Sequence, residues 1–127
     1  MPKILVVDDD PLIRNLLEQI LEPFGNRGVQ LLSANDGMAA IESIRKERPD
    51  IVFLDLMMPR MNGFEVCNIV KKDLGMSDVC IIMLTAKGQT LDRQKAKGTG
   101  ADFFITKPFN IAELMQKVSE ILGIRLS

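Results

Sequence analysis

The chain has 127 residues, 46% hydrophobic and 26% charged, with a formal net charge of −1. That is the length of one domain with enough apolar residues for a core, and too little net charge to draw it onto nucleic acid or an anionic membrane. It has no histidine, which excludes a histidine nucleophile, base or phosphocarrier within the chain. Its two cysteines, Cys67 and Cys80, match no metal spacing and suggest core packing rather than a disulfide framework.

The first strand is expected over Lys3–Val7, apolar from Ile4 onward, and it runs directly into Asp8, Asp9 and Asp10. Pro11 suits a first helical position with Asp10 as its cap. Ile13, Leu16, Leu17, Ile20 and Leu21 follow at the spacing of one helical face. A turn at 25–28 leads to a second strand at 29–33. Asn35 or Asp36 caps the next helix, whose apolar side is Ala40, Ile41 and Ile44, and Pro49 stops it.

The third strand, 51–54, is wholly apolar, and Asp55 sits at its end. A loop at 59–63 carries an Asn-Gly turn signal. A third helix is expected from about 64 to 74 with Phe64, Cys67, Val70 and Leu74 inward. The fourth strand, 80–84, ends at Thr85. The segment 87–97 reads as a fourth helix, polar almost all round and weakly docked, its lysines and arginines a solvated face. A fifth strand, 102–106, ends at Lys107-Pro108. Asn110 with Glu113 resembles a capping box before a fifth helix whose apolar face is Ile111, Leu114, Met115, Val118 and Leu122.

Five apolar strands alternating with five helices predict an α/β fold. Strands without polar alternation are buried on both faces, so the sheet is parallel and the fold a doubly wound three-layer sandwich. No apolar run approaches a membrane span, and MPKILVVDDD turns acidic too early for a signal peptide. The expectation is one domain over 1–127, cytoplasmic, with no membrane contact and no direct nucleic-acid binding.

Ligands of such sheets bind beyond the carboxyl ends of the strands. The first strand ends in Asp8 and Asp9, the third in Asp55, the fourth in Thr85 and the fifth in Lys107. With the strand order 2-1-3-4-5 these four strands are adjacent and their polar ends converge. Two carboxylates about 5 Å apart repel by roughly 3 kcal/mol at an effective dielectric near 20. A hard divalent cation such as Mg²⁺ would compensate, since it takes carboxylate oxygens and commonly joins them to phosphate. An aspartate beside a metal, a lysine and a hydroxyl suits phosphoryl transfer.

The segments ILVVDDDP, IVFLDLMMPRMNG, IIMLTA and FFITKPF resemble, in order and spacing, the response-regulator receiver family of two-component systems, over essentially the whole chain. The resemblance implies a flavodoxin-like sheet and phosphorylation at Asp55. It implies Mg²⁺ held by Asp9, Asp55 and the backbone carbonyl of Met57, with Asp8 acting largely through water. Lys107 would pair with one phosphoryl oxygen and Thr85 donate to another. Phe104 matches an aromatic switch that turns inward as Thr85 moves, and Lys107-Pro108 matches a bond that is typically cis. The donor would be a histidine kinase or a histidine phosphotransfer protein. A downstream effector would read the face made by the fourth helix, fifth strand and fifth helix.

Met57 and Lys87 occupy the two positions that tune hydrolysis of the phosphoryl group in that family. Met57 offers an attacking water no side-chain hydrogen bond, which predicts slow self-dephosphorylation. Phe103 and Lys117 stand where the DNA-binding branch usually carries Asp and Arg at a dimer face. Two other readings remain open on the sequence. One is a haloacid-dehalogenase-like phosphatase with Asp8 as nucleophile and Asp10 as acid/base. The other is an interaction module of the same fold that accepts no phosphate.

Overall fold

In the computed structural model, which describes residues 1–86 and 100–126, the apolar strand segments align side by side as one parallel sheet. The strands are β1 (Lys3–Val7), β2 (Gln30–Ala34), β3 (Ile51–Asp55), β4 (Cys80–Ala86) and β5 (Phe103–Lys107). Their order is β2-β1-β3-β4-β5, and the pairings are parallel throughout. The helices are α1 (Pro11–Gly25), α2 (Gly37–Glu47), α3 (Gly63–Asn68) and α4 (Ile111–Leu122). The helix expected at 87–97, with Lys87, lies outside the described residues, so α4 is the helix read from sequence as the fifth.

Period-2 alternation along buried strands divides the core into two layers. Leu5, Val7, Val52, Leu54, Ile81 and Met83 face one side, where they meet Ala40 and Ile44 of α2 and Val66 and Cys67 of α3. Ile4, Val6, Ile51, Phe53, Ile82 and Leu84 face the other, against Leu17, Ile20 and Leu21 of α1 and Leu114 and Val118 of α4. Each fully buried aliphatic side chain contributes on the order of 2 kcal/mol, so this two-sided burial is what holds the sheet's register.

The caps follow the sequence reading. Asp10 accepts from the Leu12 N–H at 2.9 Å with Pro11 behind it, Asp36 rather than Asn35 caps α2 through the Ala39 N–H, and Asn110 accepts from the Glu113 N–H. Four details differ. Leu16 and Ile111 are exposed, because α1 and α4 each bury a narrower stripe than the apolar spacing covers. Strand β4 continues through Thr85 to Ala86, since β5 pairs with it at Thr85↔Thr106 and Ala86↔Lys107. Asn62 and Gly63 form no hairpin-type turn; Asn62 is the N-cap of α3, in a reciprocal capping box with Glu65.

The fourth difference is the third helix, which is not one regular α-helix from 64 to 74. After Asn68 it becomes a π-helical turn, Ile69–Asp73, closed by the Leu74 N–H on the Ile69 carbonyl at 2.8 Å. The extra residue places Lys71 where its ammonium donates to the Val79 carbonyl and pairs with Asp102 at 3.1 Å. Asp102 in turn accepts from the Ile81 N–H at 2.8 Å, so the entry to β5 is pinned to β4. Cys67 is buried, and burial with Asp102 nearby pushes the Cys80 thiol up to about 11, which leaves both cysteines as packing groups. No helix among the described residues is long and apolar enough to cross a membrane.

Candidate functional site

The strand order brings the ends of β1 and β3 side by side, with Val7 opposite Leu54. The chain turns away from the sheet on opposite sides there, because α1 packs on one face and α2 and α3 on the other. Asp8 and Asp55 therefore sit at the switch point of the sheet. Both are charged side chains in an almost closed position, Asp8 1% and Asp55 6% exposed. Asp9 is exposed, and one carboxylate oxygen from each of Asp8, Asp9 and Asp55 lies within 4.8 Å of the others.

Lys107 reaches into this group from the end of β5. Its ammonium lies 3.0 Å from Asp8 Oδ2 and 3.1 Å from Asp55 Oδ1. These partners are 99 and 52 residues away in sequence. The cis Lys107-Pro108 peptide expected from the family pattern is present. Asp8 is held further: its Oδ1 accepts from the Asp10 N–H at 2.9 Å, its carbonyl accepts from Arg14 Nη1 at 2.7 Å, and its own N–H donates to the Ala34 carbonyl at 3.3 Å. Asp55 Oδ1 also receives the Met57 N–H at 3.4 Å.

The electrostatics follow from that placement. Burial raises the Asp55 carboxyl above its ordinary range, and the Asp8 charge adds to the rise; Lys107 and the Met57 N–H oppose it without cancelling it. Burial pulls Lys107 down, but the hydrogen bond to Asp8 and the charge of Asp55 outweigh it and leave the ammonium above its ordinary value. One ammonium thus faces three carboxylates. A donor set of hard anionic oxygens, incompletely neutralised, fits a divalent cation of the Mg²⁺ type and no soft metal.

Thr85 is 3% exposed on β4, one residue past Leu84, the register partner of Asp55. Phe104 on β5 is 37% exposed and registers with Met83. Met57 is exposed on the loop after β3. Phe103 carries the Lys117 ammonium 4.2 Å from its ring centroid, a cation–π pair within the chain. Asp10 serves as the cap of α1, its Oδ1 accepting from the Leu12 N–H.

Two contributors were not legible in the sequence. Arg14 carries no motif, and nothing in its spacing points back to Asp8. Gly63 was read as a turn residue; a Cβ there would meet the Asp55 carbonyl oxygen at 2.6 Å, Met83 Sδ at 2.7 Å and Leu56 Cα at 3.0 Å. It is a close-approach glycine that lets α3 start against the backbone bearing Asp55.

Comparison with known proteins bears on the family and the fold. A family model described as response regulator receiver domain matches residues 4–119. The DNA-binding dual master transcriptional regulator RpaA of Synechocystis sp. is 38% identical over 122 residues, which cover 96% of this chain and 49% of that protein. The DNA-binding response regulator MtrA of Mycolicibacterium smegmatis is 42% identical over 116 residues, covering 91% of this chain and 48% of that protein. The chain therefore spans about half the length of these curated relatives. A crystal structure of a putative response regulator from Chloroflexus aurantiacus superposes with a TM-score of 0.84 at 30% identity, covering 98% of this chain and 100% of that one.

Proposed function

This chain belongs to the response regulator receiver family, and from that membership we propose that it accepts a phosphoryl group on Asp55 in an Mg²⁺-dependent transfer. The observation that carries the reading is the cluster at the strand ends, where the Asp8, Asp9 and Asp55 carboxylates lie within 4.8 Å and Lys107 bridges two of them. The residues that would hold the metal are Asp8, Asp9, Asp55 and the carbonyl of Met57. Bound there, Mg²⁺ supplies positive charge to the transferring phosphoryl oxygens.

The chain's own groups do the rest. Asp55 attacks phosphorus with a carboxylate oxygen; the new P–O bond forms as the donor's P–N or P–O bond breaks, and the donor keeps the electron pair. Burial and the neighbouring Asp8 keep the Asp55 oxygen poorly solvated, and Lys107 moves from pairing carboxylates to pairing the phosphoryl oxygens. Thr85 donates its hydroxyl to another of those oxygens, and Phe104 turns into the space Thr85 leaves. The same site hydrolyses the acyl phosphate with water, so the domain catalyses its own modification and its removal without turning over an external substrate.

The reading makes 1–127 one receiver domain of a two-component system acting in the cytoplasm. Its donor is a histidine kinase or a histidine phosphotransfer protein, and its effector reads the face of β5 and α4; the fourth helix expected to complete that face lies outside the described residues. DNA binding is named for RpaA and MtrA, which are about twice this chain's length; the net charge of −1 supplies no bulk basic field to draw this chain onto nucleic acid. Asp10's role as a helix cap disfavours the phosphatase reading.

The test is incubation with acetyl phosphate and Mg²⁺, followed by mass spectrometry of the peptides. A phosphoryl group on Asp55, lost in Asp55→Asn and without metal, is the expected result. A label on Asp8 would make the chain phosphatase-like. No label together with weak Mg²⁺ binding would make it an interaction module.

A further inference from the structure

Asp9 is the odd member of the acidic cluster. Asp8 is fixed at its N–H, its carbonyl and both carboxylate oxygens, and Asp55 is held by Lys107 and the Met57 N–H. Asp9 is exposed, and among the described residues its carboxylate has no hydrogen-bond or ion-pair partner. Its direction must therefore come from its backbone. The peptide that leads into Asp9 is the one whose carbonyl belongs to Asp8, and the Arg14 guanidinium donates to that carbonyl at 2.7 Å. Arg14 is itself anchored, since its N–H closes the first turn of α1 on the Asp10 carbonyl at 3.1 Å and its side chain is half-buried.

We propose that Arg14 is a positioning residue for the divalent cation: it clamps the Asp8–Asp9 peptide so that the Asp9 carboxylate is aimed at the cluster before metal arrives. The proposal rests on the metal reading given above. It also makes a prediction opposite to the naive one. Arg14 brings a permanent positive charge next to the cluster, and removing that charge should by electrostatics alone tighten cation binding. If the clamp matters more than the charge, removing Arg14 weakens it. Outer groups that orient metal ligands typically change affinity by about ten- to a hundredfold. Arg14 acts on one ligand of several, so a loss of roughly tenfold is expected.

The experiment is calorimetric titration of Mg²⁺ into the unphosphorylated chain, with Arg14→Met made alone and on an Asp9→Asn background. Methionine keeps most of the stem packing while removing the donor and the charge. Asparagine keeps an oxygen at position 9, so weak binding is still read when the titration is carried to high Mg²⁺. The proposal expects Arg14→Met to weaken Mg²⁺ about tenfold with Asp9 present and to have little effect with Asn at position 9, because the clamp then has no charged ligand to aim. A residue with a merely structural role would give the same loss on both backgrounds, and that result overturns the proposal. Unchanged or tighter binding in Arg14→Met overturns it as well, and shows that charge dominates. If the unsubstituted chain binds no Mg²⁺, the metal reading itself fails and the inference falls with it.

Discussion

Gly63→Ala puts two ordinary rules in opposition. Gly63 is the first residue of α3, its φ lies outside the left-handed region, and alanine is the better helix former by up to about 1 kcal/mol. Helix propensity alone predicts stabilisation. The added Cβ, however, would lie 2.6 Å from the Asp55 carbonyl oxygen and 3.0 Å from Leu56 Cα, both backbone atoms of the β3 end. Met83 Sδ, at 2.7 Å, can swing aside; the backbone can relax only by pushing α3 off the sheet. Overpacking of this kind costs about 1–3 kcal/mol, and backbone contacts place it at the upper end. The net expectation is a loss of about 2 kcal/mol, or roughly 6–8 °C in Tm for a domain of this size. Because the peptide that yields carries Asp55, Mg²⁺ affinity should fall as well. Urea denaturation followed by circular dichroism, with Mg²⁺ titration of the same samples, reads both. A variant as stable as the parent would refute the reasoning, since the close approach would then cost less than one helix-propensity increment.

Three further outcomes are expected. Asp55 has its carboxyl raised in the folded state, so the unfolded chain releases that proton first and ionisation costs stability as pH rises from about 4 upward through the raised value. Asp55→Asn should therefore be more stable than the parent at pH 7, with the gap closing toward pH 4; urea midpoints that favour the parent at neutral pH would contradict this. Arg48 caps α2 at φ 48 and ψ 59, an exposed left-handed residue, so Arg48→Gly should raise stability by about 1 kcal/mol in thermal or urea melts. Met57 is exposed beside Asp55 with a side chain that orients no water, so Met57→Asn should shorten the acyl-phosphate lifetime several-fold, read by loss of the phosphorylated species over time. A lifetime equal to or longer than the parent's would remove Met57 as the brake.

The Phe103–Lys117 pair bears on the effector face proposed above. These positions break the charge pattern expected of a DNA-binding receiver's dimer face, and the two side chains instead engage each other across β5 and α4. An exposed cation–π contact is worth about 0.5–1 kcal/mol. That is too little to lock the face, and enough to keep Lys117 from reaching outward at no cost. An effector docking there meets aromatic surface from Phe103 and Phe104 rather than an alternating set of charges.

By itself the sequence determined the alternation of strands and helices, because the continuous apolar runs Ile4–Val7 and Ile51–Leu54 and the period-3.6 apolar faces of α1, α2 and α4 are local patterns. It also determined which chemical groups stand at the strand ends, and the caps Asp10, Asp36 and Asn110, since a capping side chain acts within three residues of itself. Only the tertiary structure decided what those groups do to one another. Strand order and register bring Lys107 to two carboxylates that lie 52 and 99 residues away. They leave Asp10 to its helix and bury Asp8 and Asp55 while Asp9 stays in water. The exposure of Leu16 and Ile111, the π-helical turn that aims Lys71, the backbone approach that requires Gly63 and the reach of Arg14 to the Asp8 carbonyl are of the same kind. Each depends on how one packed element meets another, and a spacing along the chain holds no information about the distance across it.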